Sequence, residues 1–578
     1  MNSSLRKISF NFLAITSFVI FSCQETLKTQ DLSPELKEKI QSQAREIVSK
    51  MDNKEKAGQI IHIAIPGKGL DKTAIKEIKK IRPGGVILFG NNLGSKTEIL
   101  RLTSNLQAEM KKYKLPPLFI SVDQEGGRVV RVKKGVTGFP GAMAIGQTGK
   151  EEYAHDVGFI TSFQLNSLGI NVVFAPDLDI NNNPDNPVIN TRSYGSDREL
   201  VTKMGTAYER GAREGGAMPV IKHFPGHGDT NIDSHLGLPI INKSIEEISS
   251  FELVPFQKSI ADGARAVMSA HIVYPNIEDG LPATLSRKIL TGILREKLGF
   301  DGVVFTDAME MHAISKNYKN LKRGPLAIIA GADVILLTSW GKTTTEYQKM
   351  MLSAISKKEF EKDGKNLLDE ALVRQISAKI EFGLFSQPDS HHRVKDPEIL
   401  KYLEEKSNQA KAKYASFQEK NLKEYNRRIS IDSIKTLKGN FTPLSKKQMS
   451  EYKMFAKSKV LRREAKIAGL KTISRKELKK IVSKKIEGKY IFDSREKKDL
   501  EEIEKIISEL PESEIILFHY GSPFIQFPEH KNLKVILSFS PTYSSLIGIF
   551  HRVFYSDPGD PILPCTVILK ESSKKKSN

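Results

Sequence analysis

One stretch of the sequence concentrates side chains that can carry proton-transfer or metal chemistry. It is PVIKHFPGHGDTNIDSHLGLP, between residues 219 and 239. Its first three residues are apolar and suit a buried strand, whereas the proline and glycines that follow predict a loop as far as Leu238. Loops held by a rigid scaffold are where catalytic groups usually lie. The titratable residues of this stretch are Lys222, His223, His227, Asp229, Asp233 and His235.

Two kinds of chemistry fit these residues. The first is a metal site, because imidazoles and carboxylates are common ligands. Against it, Pro225 lies between His223 and His227, so no helix face presents both rings. The second is acid/base catalysis, in which Asp233 holds the imidazole of His235 in one tautomer and raises its basicity. The sequence favours the second interpretation, and a solvated loop without function remains as a third.

The order of these residues resembles the signature of bacterial β-N-acetylglucosaminidases of glycoside hydrolase family 3. The resemblance rests on Lys222-His223-Phe224-Pro225-Gly226-His227-Gly228, followed by Asp233-Ser234-His235. It implies that His235 is the general acid/base and that Asp233 supports it. It also implies that Lys222 and His223 bind the sugar.

Eight short apolar runs alternate with helical patterns in the part of the chain that carries this loop. Each run is almost continuously apolar, as is typical of a strand that is buried on both faces. Eight such strands alternating with helices predict an α/β fold, a (β/α)₈ TIM-like barrel. The runs are Gln59–Ile65, Gly85–Phe89, Leu118–Val122, Ile170–Ala175, Pro219–Ile221, Ala266–Ser269, Gly302–Phe305 and Asp333–Leu337.

Polar residues follow most of these runs, at the strand ends where such barrels place their active sites. Asp123 follows the third run, His271 the sixth and Asp307 the seventh. The fourth run is followed by Asp177 and Asp179, which we expect to anchor the adjoining loop through backbone N–H groups.

The family resemblance extends to these strand ends. Within Asp123-Gln124-Glu125-Gly126-Gly127-Arg128-Val129-Val130-Arg131, it implies that Asp123 and Arg131 hold sugar hydroxyls. It places a substrate-binding arginine at Arg192 and the nucleophile at Asp307. A carboxylate nucleophile opposite a proton donor is the arrangement that a retaining glycosidase needs.

Length and charge predict more than one domain. At 578 residues the chain exceeds one ordinary domain, and its two cysteines exclude a disulfide-stapled scaffold. About +14 of the net charge of +21 lies from Ser386 onward, so an anionic lipid or polymer is a reasonable neighbour, whereas nucleic acid is not expected. We predict the barrel at 24–385, a basic helical linker region at 386–500 and a small α/β domain at 501–578. Its predicted strands are Ile515–Tyr520, Val535–Phe539 and Thr566–Leu569.

The first 23 residues have the layout of a secretion signal. Arg6 and Lys7 precede an apolar run from Ile8 to Phe21, which is too short for a membrane span, and Cys23 follows. A small residue before a cysteine resembles a lipoprotein cleavage site, so we predict acylation of Cys23 and a lipid anchor at the cell envelope. Ordinary signal cleavage without a lipid is the alternative.

The family resemblance, together with these observations, implies a secreted, retaining exo-glycosidase that removes terminal β-linked N-acetylglucosamine from peptidoglycan fragments or chitin oligomers. No cofactor is needed. Two alternatives stay open: a metal-dependent barrel hydrolase that uses the histidine cluster, and an inactive envelope lipoprotein that binds a glycan.

Overall fold

A closed ring of eight parallel strands forms the first part of the molecule. The computed structural model describes residues 32–233, 236–386 and 392–556. Two sheets share the fifth strand, and a parallel bridge between Phe305 and Val334 completes the ring. The strands are β1 (Ile61–Ala64), β2 (Gly85–Ile87), β3 (Phe119–Val122), β4 (Val172–Val173), β5 (Met218–Pro219 and Ile221–Phe224), β6 (Ala266–Ser269), β7 (Val303–Thr306) and β8 (Ile335–Leu336).

Helices surround this ring and connect its strands. A π-helix, Lys288–Lys297, lies between β6 and β7. The others are α1 (Pro34–Ser49), α2 (Asn53–Gln59), α3 (Lys72–Ile81), α4 (Lys96–Lys112), α5 (Ala142–Gly146), α6 (Glu151–Asn166), α7 (Arg198–Glu214), α8 (Ile245–Ser250), α9 (Val254–Ala261), α10 (His312–Ser315), α11 (Arg323–Ala330), α12 (Lys342–Ser356) and α13 (Leu367–Glu381). Short hairpins pair Gln124–Gly126 with Val129–Val130, Val273–Tyr274 with Glu278–Pro282, and Glu361–Lys362 with Lys365–Asn366.

All eight predicted strands are present, because each buries its side chains on both faces. One face packs against the helices, and the other fills the inside of the ring with residues such as Phe119, Phe174 and Phe305. The predicted (β/α)₈ barrel is therefore confirmed. Before the ring, Ser33 begins α1 by accepting a hydrogen bond from the N–H of Leu36.

The second part of the molecule is a six-stranded, mostly parallel sheet, in the order β9-β14-β13-β12-β10-β11. Its strands are β9 (Lys435–Lys438), β10 (Tyr452–Phe455), β11 (Lys471–Thr472), β12 (Lys489–Ser494), β13 (Glu514–His519) and β14 (Leu533–Leu537). The associated helices are α14 (Pro397–Glu419), α15 (Leu422–Asp432), α16 (Lys446–Met449), α17 (Lys459–Ile467), α18 (Arg475–Ser483), α19 (Lys497–Ile507) and α20 (Tyr543–Phe554).

This sheet corrects the predicted division at residue 500. Four of its strands precede that residue, so 386–500 is not a helical linker. Of the helices that the structure describes in this range, α14 and α15 pack on the barrel core. Lysines interrupt the apolar residues of strands such as KTLK and YKMF, so the sequence shows no continuous apolar run there. The prediction of a second α/β domain is confirmed, and the predicted strand Thr566–Leu569 lies outside the described residues.

The carboxyl-terminal edge of the second sheet faces the barrel. Ser540, which follows β14, accepts a hydrogen bond from the N–H of Gly141 at 3.3 Å. Met143 and Ala144 of α5 join an apolar cluster with Phe539 and other residues of that sheet. Cys23 and the predicted signal sequence lie outside the described residues, and within those residues no helix has the length and apolarity to span a bilayer.

Candidate active site

Side chains from several strand ends converge at the carboxyl-terminal mouth of the barrel. Asp123 follows β3, Lys222 and His223 lie in β5, and Asp307 follows β7. A parallel bridge between Asp177 and Lys222 joins the exit of β4 to β5. The structure thus brings together residues that the sequence placed on separate strands.

A buried carboxylate, Glu125, joins two of the predicted sugar-binding cations. Arg192 donates from Nε and Nη2 to its two oxygens, each at 2.8 Å, and Lys222 Nζ lies 2.6 Å from Oε1. Burial would raise the pKa of Glu125, but the charges of Arg192 and Lys222 outweigh it and lower the pKa well below its usual range. Burial would likewise lower the pKa of Lys222, and Glu125 raises it instead. All three groups therefore stay charged.

Asp123 lies between two cations at the more open side of the mouth. Lys222 Nζ is 3.2 Å from its Oδ1, and Arg131 Nη2 is 3.8 Å from its Oδ2. The Nε atom of Arg131 is buried and makes no hydrogen bond among the described residues. A carboxylate that accepts and a guanidinium that donates are together suited to two sugar hydroxyls.

His223 is held in one tautomer by Asp179. Its Nδ1 lies 2.7 Å from Asp179 Oδ2, and its Nε2 lies 3.4 Å from Arg192 Nη2. Burial, and then the charge of Arg192, lower the pKa of His223 to about 4. The ring is therefore neutral near pH 7, with Nδ1–H donating to Asp179 and Nε2 acting as an acceptor, to which Arg192 donates at 3.4 Å.

The two aspartates after β4 organise the neighbouring loop. Asp179 accepts the backbone N–H groups of His223, at 3.3 Å, and of His227, at 2.6 Å. Asp177 accepts the N–H of Asp179 at 3.0 Å, and burial together with the charge of Asp179 raises its pKa well above the ordinary value. The expected anchoring through backbone N–H groups is present. Most of the N–H groups belong to the end of β5 and to the loop that follows it, which we call the β5 loop.

Close contacts lock the β5 loop to the loop that follows β4. At Gly228 a Cβ atom would lie 1.6 Å from the carbonyl oxygen of Ile180, so only glycine fits there. Asn186 Nδ2 donates to the carbonyl oxygens of His227 and Gly228 at 2.8 and 2.9 Å. Tyr274 donates its hydroxyl to the carbonyl oxygen of Gly226 at 2.7 Å.

The far part of the β5 loop carries Asp233. The carbonyl oxygen of Asp233 accepts the N–H groups of Leu236 and Gly237 at 2.8 and 2.9 Å. Arg128 is near enough for its charge to interact with that of Asp233. Ser234 and His235, the predicted acid/base, lie outside the described residues.

Asp307 is an ionised carboxylate at the mouth. Its Oδ1 accepts the N–H of Ala308 at 2.7 Å. Burial would raise its pKa, but the nearby His271 and His223, together with that N–H group, outweigh it and lower the pKa below the ordinary value. His271 itself lies 3.0 Å, through Nε2, from the carbonyl oxygen of Ala308. A carboxylate that stays deprotonated can act as a nucleophile.

Comparison with known proteins identifies the family. Residues 53–375 match the model described as the glycosyl hydrolase family 3 N terminal domain. The chain belongs to glycosyl hydrolase family 3. The predicted glycoside hydrolase is thereby confirmed as an enzyme of this family.

The family 3 relatives with similar sequences are β-hexosaminidases. β-Hexosaminidase A of Pseudoalteromonas piscicida is 42% identical over 272 residues, which cover 44% of this chain and 45% of that protein. β-Hexosaminidase of Methylobacillus flagellatus is 34% identical over 283 residues, covering 48% of this chain and 79% of that one. This chain thus spans less than half the length of the first relative.

A solved family 3 structure extends the likeness to both parts of the molecule. The β-N-acetylglucosaminidase of Paenibacillus sp. FPU-7 has a TM-score of 0.75 and 30% identity, covering 90% of this chain and all of that one. The resemblance to bacterial β-N-acetylglucosaminidases that the sequence suggested is confirmed.

Within the described residues, the histidines and aspartates of the β5 loop do not come together as the metal site that the sequence left open as an alternative. His227 Nδ1 lies 3.0 Å from the hydroxyl of Thr230, and Asp229 pairs with Lys243 at 2.6 Å. Among the described residues, one group has donor atoms within 4.8 Å of one another: Asp177, Asp179 and His223. Both oxygens of Asp179 already accept backbone N–H groups, so hydrogen bonding accounts for this group.

Sequence reasoning missed Glu125 as a site residue. Glu125 is two residues after Asp123, which places both carboxylates on the same side of an extended segment. That spacing was the available signal. The partners of Glu125 come from two other strand ends, so its role depends on the tertiary fold.

Proposed function

We propose that this enzyme is a retaining, exo-acting β-N-acetylhexosaminidase that releases terminal β-linked N-acetylglucosamine. The observation that supports it most directly is the ionised Asp307 at the mouth, beside a set of charged hydrogen-bonding groups built around Glu125. The relatives named β-hexosaminidase and β-N-acetylglucosaminidase support the choice of sugar.

In this mechanism the carboxylate of Asp307 attacks the anomeric carbon. As that bond forms, the glycosidic bond breaks and His235, held by Asp233, gives its proton to the leaving oxygen. His235 then takes a proton from water, whose oxygen displaces Asp307 and regenerates the carboxylate. Two displacements at the same carbon retain its configuration.

The remaining charged groups would hold the sugar during both steps. Asp123 can accept from hydroxyl groups, while Arg131, Arg192 and Lys222 donate to them. His223 would accept a hydroxyl hydrogen bond at Nε2, because its Nδ1–H is directed to Asp179. These groups are held by the protein before the sugar arrives, which lowers the cost of organising them in the transition state.

The natural substrates that we favour are peptidoglycan fragments, with chitin oligomers second. We infer secretion and acylation of Cys23, which would hold the enzyme at the cell envelope beside such fragments through a lipid anchor. Incorporation of a labelled fatty acid that is lost in Cys23→Ala tests the anchor. Without any incorporation in the parent chain, the lipoprotein assignment is wrong.

The central experiment compares two chromogenic substrates and two variants. The enzyme should hydrolyse the β-N-acetylglucosaminide much faster than the β-glucoside. The His235→Ala variant should lose far more activity on an unactivated glycoside than on one with a good leaving group, because only the former needs a proton from the acid. The Asp233→Ala variant should show the same bias more weakly.

Two results would contradict this proposal. Equal losses on both substrates in His235→Ala would assign that residue to sugar binding instead of proton transfer. Loss of activity after chelator treatment, with recovery on adding a divalent metal, would favour the metal-dependent hydrolase.

A further inference from the structure

Positive charge is concentrated at one side of the second sheet. Between residues 457 and 488, which include α17, β11 and α18, there are twelve Lys and Arg residues against three Asp and Glu residues, a net charge of +9. From residue 489 to residue 556, the remainder of the same sheet has a net charge of −2. The excess therefore belongs to α17, β11 and α18 and is not a property of the whole domain.

Most of these lysines form no ion pair with the described acidic residues. Seven exposed lysines lie outside ion-pair distance of any carboxylate in the part of the chain that the structure describes. On α18 they recur every three or four residues, so their ammonium groups share one helix face, where like charges repel. They are Lys459, Lys466, Lys471, Lys476, Lys479, Lys480 and Lys484.

Two exposed isoleucines accompany these lysines. Ile467 is 68% exposed at the end of α17, and Ile486 is 39% exposed just after α18. Both helices connect parallel strands, so each runs back to the amino-terminal edge of the sheet and ends there. Lys466 and Lys484 lie beside the two isoleucines at that edge, which is opposite to the edge where Ser540 contacts the barrel.

We propose that this amino-terminal edge binds the surface of an anionic lipid bilayer. Each lysine near such a surface contributes electrostatic attraction, and exposed aliphatic side chains can enter the boundary between headgroups and acyl chains. A soluble polyanion would account for the lysines but would gain nothing from exposed isoleucines. The barrel would then be held on the far side of the sheet from the lipid.

The test measures co-sedimentation of the full chain with vesicles. Cys23→Ser removes the acylation site, and the readout is the ratio of binding to vesicles of phosphatidylcholine mixed with phosphatidylglycerol over binding to phosphatidylcholine alone. Apolar insertion from any part of the chain contributes equally to both vesicle types, so the ratio reports on charge. We expect a ratio well above unity that falls with added salt.

Four substitutions should abolish this preference. Lys466→Gln, Lys471→Gln, Lys480→Gln and Lys484→Gln together should lower the ratio about fivefold for each lysine. The matched control removes four unpaired lysines from the barrel: Lys349, Lys357, Lys358 and Lys362, each changed to Gln. The control should keep the ratio, and both variants should keep their hydrolase activity, which also reports correct folding.

Ile467→Ser with Ile486→Ser should weaken binding to the anionic vesicles at high salt, where the lysines are screened. Two results would overturn the proposal. One is an unchanged ratio in the four-lysine variant. The other is unchanged vesicle binding in the isoleucine variant together with equally tight binding of polyphosphate, which would identify a polymer site.

Discussion

Two lysines are buried in the barrel, one at each end of the ring, and their pKa values move in opposite directions. At the mouth, burial would lower the pKa of Lys222, but Glu125 at 2.6 Å and Asp123 at 3.2 Å raise it. At the amino-terminal end of the ring, which we call the floor, Lys379 Nζ donates to the carbonyl oxygen of Gly84 at 2.9 Å. Burial lowers the pKa of Lys379 to about 7.

The floor has a second buried ionisable group. His62 lies between Phe119 and Phe305, with ring centroids 5.8 and 5.4 Å away. Its ring nitrogens make no hydrogen bond among the described residues, and burial, then the charge of Lys379, lower its pKa well below the ordinary value. Burial alone therefore favours neutral groups, whereas the mouth keeps its charges by pairing them. The candidate site is therefore distinguished by its ion pairs, because side chains at both ends of the ring are buried.

The largest effect should follow from Asp307→Ala. Loss of the nucleophile should lower kcat on the order of 10⁴-fold. The free energy of unfolding should change by less than about 1 kcal/mol, because the substitution also removes a buried charge. Steady-state kinetics and urea unfolding measure the two quantities, with the exposed Asp279→Ala as the control. A folded Asp307→Ala enzyme with near-normal kcat would remove Asp307 from the mechanism.

Glu125→Gln should be next in size. It leaves Lys222 and Arg192 without their shared carboxylate, so kcat/KM should fall roughly 10²- to 10³-fold and stability by about 3 kcal/mol. Kinetics well below the melting temperature separate the two effects. If the folded variant retains parental kcat/KM, then Glu125 serves stability alone and the contrast between mouth and floor disappears.

Asp179→Asn should have a smaller effect, through His223. An amide holds the imidazole tautomer less firmly, so we expect kcat/KM to fall roughly 10- to 100-fold, mainly through a higher KM. The matched control is Asp493→Asn in the second sheet, where Asp493 also accepts backbone N–H groups, from Lys457 at 2.5 Å and Ser458 at 2.8 Å. It should lose stability and keep its kinetic constants. Equal kinetic losses in the two variants would make Asp179 a general structural residue.

A substitution at the floor should change the free energy of unfolding and leave kcat unchanged. Since the pKa of Lys379 is about 7 in the folded protein, the unfolded chain holds a proton that the folded protein has lost between about pH 7 and pH 10. Parental stability should therefore rise with pH across that interval. Lys379→Met should gain about 3 kcal/mol at or below pH 7 and lose that advantage as the pH approaches 10.

Urea unfolding over this pH range, with kcat as the second readout, tests the effect. A constant difference between parent and Lys379→Met would show that burial does not shift this lysine. A fall in kcat would connect the floor to catalysis and contradict the contrast with the mouth.

The barrel was predictable because its strands are buried on both faces, which leaves continuous apolar runs such as Pro219–Ile221. In the second sheet, lysines interrupt short strands such as Lys435–Lys438, so composition suggested helices there. The run Tyr490-Ile491-Phe492 is a local apolar signal for β12.

Site residues were predictable from the sequence where they come directly after a single strand. Asp123 and Asp307 are examples, because a strand end fixes the direction of the next side chain. The tautomer of His223 was not predictable, because Asp179 reaches it from another strand end, 44 residues earlier in the sequence. Partners that meet only through the closed ring leave no local pattern.

The contact between Gly228 and Ile180 has a consequence for protein engineering. Because Asn186 also binds the carbonyl groups of His227 and Gly228, the loops after β4 and β5 behave as one part. A graft of residues 222–241 onto another barrel would lose the groups that shape it. The transferable unit consists of both segments, 177–195 and 222–241, moved together.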